Sequence, residues 1–166
     1  TGVSGSDTVT YGRLYSWAAV MSGAEASSDV PSGVRGICPE GWHVPSTSDW
    51  EELSNYVGSQ SANQCGEQPS NIAKSLASTT GWLYSSNNCA VGNNPSCNNS
   101  TGLSFYPSIM EDGNSHDGTT SALWGSTKLH DDLACGYAIN YWNPYALIFY
   151  NYFNSAHPVR CLRDEE

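Results

Sequence analysis

Residues 137–157 read YAINYWNPYALIFYNYFNSAH and carry the densest recognition chemistry in the chain. Five tyrosines, four asparagines, two phenylalanines, one tryptophan and one histidine fill 13 of its 21 positions. The segment holds no Lys, Arg, Asp, Glu, Gln or Met. Tyr supplies broad, rigid contact area at small entropic cost and Asn supplies adaptable hydrogen bonds, a pairing typical of binding surfaces. A buried strand has little use for so many amides, each of which needs a partner. A solvated loop has little use for so many rings. Alternation along the segment predicts that Tyr137, Ile139, Tyr141, Ala146 and Ile148 point into a core. The remainder forms the expected binding face: Asn140, Trp142, Asn143, Tyr145, Leu147, Phe149, Tyr150, Tyr152, Phe153 and His157.

Other reactive side chains fall into no catalytic pattern. His43, His116, His130 and His157 are scattered, with no pair at metal-ligand spacing on a helix. The run Asp112–Gly118 lacks the central glycine and the closing glutamate of a calcium loop, so it reads as turns. Asp131 and Asp132 read as a solvated loop. Asp49, Glu51 and Glu52 are explained by a helix start, whose positive end favours carboxylates, without invoking an acid–base pair. No glycine-rich phosphate loop occurs. Asn98-Asn99-Ser100-Thr101 contains two overlapping glycosylation sequons. No catalytic residue, metal or cofactor is expected, and the chain does not read as an enzyme.

The elements that must position the aromatic segment are short. Residues 14–22 (LYSWAAVMS) predict a helix with Leu14, Trp17, Ala18 and Met21 on one face. ICPEGWHVPS predicts a short strand entering a helix capped by Ser46 and Asp49, continued by Trp50, Leu53 and Val57 and stopped by Gly58. Residues 71–78 predict one more short helix. Residues 85–121 read as loop, too much irregular backbone to stand without staples. Strands are expected near 122–127, 135–142, 145–150 and 157–163. Residues 1–10 read as a flexible lead-in and 11–166 as a single domain, long enough to build a real core.

Composition narrows the class. The 166 residues carry a net charge of −10, and only 13% are charged. The six basic residues, Arg13, Arg35, Lys74, Lys128, Arg160 and Arg163, form no cluster, so nucleic-acid binding has no electrostatic basis. No apolar run is long enough to insert in a membrane as a helix. Six cysteines at irregular spacing, with no C-x-x-C, point to disulfides and an oxidising compartment and leave 15 pairings open.

Several motifs occur together: YGRLYSWAAVM (11–21), GVRGICPEGWHVPSTSDWEEL (33–53), a K-x-L-x-x-x-x-GW stretch (74–82), WGST (124–127) and VRCLRD (159–164). Together they resemble the Fibrobacter succinogenes major paralogous domain of bacterial surface proteins. WHVPS-x-x-D-W-E is also similar to a signature of the formylglycine-generating-enzyme type of C-type-lectin fold. These resemblances imply an α+β, C-type-lectin-like fold: a twisted, mostly antiparallel sheet, two helices, long loops and disulfides. They also imply a Cys38–Cys161 bridge, since lectin-like folds often tie the first helix region to the last strand. Cys89–Cys97 would then pinch a local loop, and Cys65–Cys135 remains. The enzyme branch of that fold uses paired cysteines late in the chain; Cys135 and Cys161 here read as structural.

The segment 137–157 further resembles the variable region of diversity-generating-retroelement proteins, which share the lectin-type fold. Adenine-directed mutagenesis of AAC codons never yields Lys, Glu, Gln, Met or Trp, and Trp142 alone departs from that pattern here. The implied function is ligand binding, as an adhesin or receptor-binding domain at the cell surface and part of a larger protein. The ligand would be a protein or a glycan. Two alternatives stand beside it: a polysaccharide-binding module, with Trp42, Trp82 and Trp124 as stacking platforms if exposed, and a structural module that docks filament subunits.

Overall fold

A computed structural model describes residues 12–108 and 118–165. The expected flexible segment 1–10 and nearly all of the Asp112–Gly118 run lie outside the described residues. The described chain is α+β, with few helices and small antiparallel sheets. In order it forms α1 (Trp17–Met21), β1 (Trp42–His43), α2 (Thr47–Ser59), α3 (Ala73–Leu76), β2 (Thr120–Lys128), β3 (Leu133–Asn140), β4 (Leu147–Tyr152) and β5 (Leu162–Arg163). Two 3-10 turns, Ser61–Asn63 and Pro95–Cys97, lie in the long middle stretch. Strands β2, β3 and β4 make one sheet in that order, joined by short connections of the kind antiparallel neighbours use. Strands β1 and β5 pair separately and antiparallel, Trp42 against Arg163 and His43 against Leu162.

The chain sorts into two compact units, each discontinuous in sequence. Unit one contains Leu53–Ser121 and Ala138–Leu147; unit two contains Arg13–Glu52, Ala122–Tyr137 and Ile148–Glu166.

Unit two holds a conventional apolar core. Trp17, Val20, Met21, Val34, Cys38, Val44, Trp124 and Ala134 are buried together, with Tyr15, Phe149, Phe153, Val159 and Cys161 packed against them. Helix α1 starts at its Ser16 cap, whose hydroxyl accepts from the Ala19 amide. Leu14 therefore precedes the helix, and the buried face is Trp17, Val20 and Met21, at i, i+3 and i+4; Ala18 is exposed. Both core tryptophans find partners for their indole N–H. Trp17 donates to the Gly125 carbonyl at 2.8 Å and Trp124 to that of Tyr15 at 2.9 Å. The expected capping box is present: Asp49 N–H donates to Ser46 Oγ at 3.0 Å, and Ser46 N–H donates to Asp49 Oδ2 at 2.8 Å. Asp49 also accepts from the Ser32 amide, tying the preceding loop to the helix start. Trp50, one residue on, stacks on Tyr137 at 4.8 Å.

Helix α2 runs one residue past Gly58 to Ser59, so Gly58 does not stop it. The glycine serves packing instead. A β-carbon there would collide with the Pro69 carbonyl oxygen, so only hydrogen lets the loop 64–71 lie against the helix.

Unit one buries Val57, Ile72, Leu76, Trp82, Val91 and Phe105 and adds polar staples to them. Asn98 donates its amide to the Ser78 carbonyl at 3.0 Å and to that of Val91 at 3.2 Å. Asn99 clamps Ser104 through both its amide and its carbonyl. Both sequon asparagines are thus engaged in structure. The Lys74 ammonium donates to the carbonyls of Ala90, Asn93 and Asn94, and burial holds its pKa below the ordinary lysine value.

The disulfides partly overturn the expected pairing. Cys38–Cys161 forms, spanning 123 residues. The second bridge is Cys65–Cys89, while Cys97 and Cys135 are free. The expected Cys89–Cys97 and Cys65–Cys135 bridges therefore do not exist. Cys97 ends a 3-10 turn at the surface, where its sulfur accepts from Asn94 Nδ2 at 3.0 Å. Cys135 is buried in β3, and burial raises its thiol pKa. Cys89 adopts a left-handed conformation, φ 64°, in a loop whose Cα lies 5.5 Å from that of Cys65. Two disulfides fit an oxidising compartment. No helix among the described residues is long and apolar enough to cross a membrane.

Candidate ligand-binding site

The aromatic segment divides into two pieces with different supports. The first, in unit one, is the connection from β3 to β4. Its backbone is fixed along almost its whole length. Tyr141 N–H donates to the Thr119 carbonyl at 2.8 Å, and the Tyr141 carbonyl accepts from Gly92 N–H at 2.8 Å. Asn87 Nδ2 donates to the Trp142 carbonyl at 3.1 Å, and Ala73 N–H donates to that of Pro144 at 2.9 Å. Asn140 is buried, and its side-chain oxygen accepts from the Asn143 amide at 3.0 Å, setting the turn from within. Gly92 permits this close approach; a β-carbon there would strike the Leu83 carbonyl and lie 3.0 Å from that of Tyr141.

On this fixed backbone two rings stand in solvent, Trp142 at 42% and Tyr145 at 44% exposure. Trp142 is braced edge-on by Tyr141, their ring centres 5.0 Å apart. Tyr145 borders a cleft of about 720 Å³ lined by Ser54, Asn55, Gly58, Ser59, Gln64, Pro69, Ser70, Ile72 and Ala146. That volume is in the ~300–1,000 Å³ range of small-molecule sites.

The second piece, in unit two, is β4 and the turn after it. Tyr150 and Tyr152, at 63% and 57% exposure, share one face of the strand. Phe149, on the other face, stacks near Trp124 at 5.9 Å. Gly136 makes room for it, because a β-carbon at that position would press into the Phe149 ring. Phe153 stacks on Trp17 at 4.3 Å, and His157 sets its edge on Trp124 at 4.8 Å.

The expected face is therefore corrected at four positions. Asn140 and His157 are buried, and Phe149 and Phe153 pack on the core of unit two. Asn143 and Leu147 are half-buried. Trp142, Tyr145, Tyr150 and Tyr152 are exposed, as the sequence suggested. Of the positions read as inward, Tyr137 and Ile139 are buried, while Tyr141, Ala146 and Ile148 are half-buried. Of the three tryptophans named as stacking platforms on condition of exposure, Trp42 is exposed and Trp82 and Trp124 are buried.

Trp42 borders a smaller cleft of about 260 Å³ in unit two, with Arg35, Glu40, His43, Asp164 and Glu165. There His43 is buried, with Nδ1 2.6 Å from Asp164 and Nε2 3.7 Å from Asp49. The histidine joins the final strand to the start of α2. Its Nδ1 is engaged by Asp164, while Nε2 is buried and makes no hydrogen bond among the described residues. Among the described residues no three His, Cys, Asp or Glu side chains gather where they could hold a metal ion.

Sequence reasoning missed the cleft wall contributed by α2 and the loop 64–71. One signal was legible. Ser54, Asn55, Gly58 and Ser59 recur at i, i+1, i+4 and i+5, an uncharged face on a helix that begins with acidic residues.

The chain matches the family model of the Fibrobacter succinogenes major domain over residues 4–163, and it belongs to that family. No curated protein and no solved structure matches it.

Proposed function

We propose that this family member is a ligand-binding domain of a bacterial surface protein, acting as an adhesin or receptor-binding module rather than as an enzyme. The observation that carries the reading is the pair Trp142 and Tyr145, held out on a backbone that has almost no freedom left. Exposed rings on a preorganised frame lose little entropy when they dock, and such anchors dominate binding energy. Tyr150 and Tyr152 add a second exposed aromatic pair on β4. We assign the fold to the C-type-lectin-like class, on the family motifs and the late aromatic strands. The four late-segment residues Asn140, Phe149, Phe153 and His157 serve as scaffold in this reading. Against catalysis stand the late cysteines: Cys161 is bridged to Cys38, and Cys135 is buried with its thiol pKa raised.

The test replaces Trp142, Tyr145 and Tyr152 by alanine, singly and together. Retention of the purified domain is then read on intact bacterial cells, on mucin and on cellulose. The expected result is loss of retention with an unchanged melting temperature. Full retention by the triple variant would sink the reading. Diversification of the segment is tested separately by sequencing the gene across a population of its source. Substitutions should concentrate at Tyr145, Tyr150 and Tyr152, exposed positions whose residue type an AAC codon can reach, and spare buried Tyr137, Ile139 and Asn140. An invariant segment would reject diversification and leave a single fixed ligand.

A further inference from the structure

The cleft beside Tyr145 has a chemistry of its own. None of the ten residues that line it is charged, although the chain carries sixteen acidic residues. Its polar side chains are hydroxyls and primary amides: Ser54, Asn55, Ser59, Gln64 and Ser70. Its apolar surface, which exceeds the polar, comes from Pro69, Ile72 and Ala146 with the ring of Tyr145. A charged ligand would find no counter-charge there. A ring with one apolar face and a rim of neutral hydroxyls fits: the face packs on Tyr145, and the hydroxyls exchange hydrogen bonds with serines and amides that both donate and accept.

The walls are also rigid. Gln64 Nε2 donates to the Gly58 carbonyl at 2.6 Å, and Asn71 Nδ2 donates to that of Cys65 at 3.0 Å. Cys65 is bridged to Cys89, and the Cys65 amide donates back to the Asn71 carbonyl. Gly58 seats the Pro69 backbone directly on α2. The Tyr145 side is fixed by the Ala73–Pro144 hydrogen bond. A preformed neutral cleft costs little ordering on binding, which favours uncharged ligands whose individual contacts are weak.

We infer that this cleft binds a neutral saccharide, with Tyr145 as the stacking ring and Ser54, Asn55, Ser59, Gln64 and Ser70 as hydroxyl partners. The inference rests on the ligand-binding reading above and names the ligand class for one part of it. The test titrates the whole domain with neutral oligosaccharides from cellulose, xylan and mannan. Polygalacturonate serves as a charged control and casein peptides as a protein control. At least one neutral oligosaccharide should bind saturably. Tyr145→Ala should weaken it by about tenfold or more. Asn55→Trp, which fills the cleft from an exposed position on α2, should do the same with an unchanged melting temperature. Ser70→Trp blocks the cleft from the loop side and replaces Asn55→Trp if that variant misfolds.

Absence of neutral-sugar binding by the wild type would overturn the inference. So would sugar binding that both cleft-filling variants leave intact. Peptide binding blocked by Asn55→Trp, with no sugar bound, would overturn it in favour of a protein ligand. In each of these cases retention on cells that depends on Trp142 and Tyr152 leaves the broader ligand-binding reading standing. Loss of both signals removes both.

Discussion

The connection 141–146 and strand β4 are neighbours in sequence with three aromatic rings each, yet their side chains play different parts in holding them. The carbonyls of the connection are held by the backbone amides of Ala73, Val91 and Gly92 and by the Asn87 side-chain amide, so its own side chains contribute little to its shape. Strand β4 pairs with β3 and is anchored further by its own side chains, with Phe149 lodged against Trp124 and Phe153, just beyond it, against Trp17. A surface whose support lies in the backbone tolerates change at its side chains. A surface whose support lies in alternate side chains tolerates change at every second residue only. Trp142 and Tyr145 are therefore freer to vary than the same number of consecutive positions in β4.

Stability measurements can break this contrast. The largest effect is expected from the staples. Replacing Cys38 and Cys161 by serine should cost about 5 kcal/mol, and replacing Cys65 and Cys89 about 3 kcal/mol, because the first closes the longer loop. Chemical denaturation of both double variants checks the ranking, and equal losses would contradict it. Phe149→Ala should cost about 3 kcal/mol by leaving a void against Trp124; a loss near zero would mean that β4 is not anchored by its inward face. Gly92→Ala attacks the connection through its backbone and should cost about 1–3 kcal/mol, since the new methyl meets the Leu83 carbonyl. Trp142→Ala and Tyr145→Ala should each change stability by less than about 0.5 kcal/mol. A large drop in melting temperature for either would show that the connection depends on its rings after all. The gentlest test perturbs nothing: a thiol reagent should label Cys97 in the folded protein and Cys135 only after unfolding, given their exposures.

Local chemistry was legible in the sequence where one element decides it. The Ser46–Asp49 box formed as expected because both partners lie within one helical turn. The strands expected near 122–127, 135–142 and 145–150 end within two residues of β2, β3 and β4, whereas the strand expected at 157–163 is reduced to Leu162–Arg163. Assignments that needed distant residues failed. Whether Phe149 faces solvent depends on Gly136, thirteen positions earlier, which alone opens the space for its ring. His157 reads as a binding residue until Trp124 and Asn151 are seen to occupy its ring and Nε2. The Cys65–Cys89 bridge depends on how the loops 64–71 and 85–94 fold back, and Lys74 organises the second of these through carbonyl contacts that no motif announces. The cleft stayed hidden because its walls are ordinary serines and amides, distinguished only by being brought together.

The long bridge between Cys38 and Cys161 has a mechanical consequence. Every residue of unit one from Leu53 to Ser121 and from Ala138 to Leu147 lies between those two cysteines in sequence. Tension applied along the chain from outside the bridge would pass through the sulfur–sulfur bond and bypass that whole stretch. The connection bearing Trp142 and Tyr145 would then keep its shape under a pull that strips the flanking segments away. With the bond intact, roughly 400 Å of contour length stays locked, at ~3.4 Å for each of the 123 residues of separation. Stretching single molecules with and without reductant measures it directly: the extra length should be released only after reduction, and its release under oxidising conditions would show that the bridge does not carry the load.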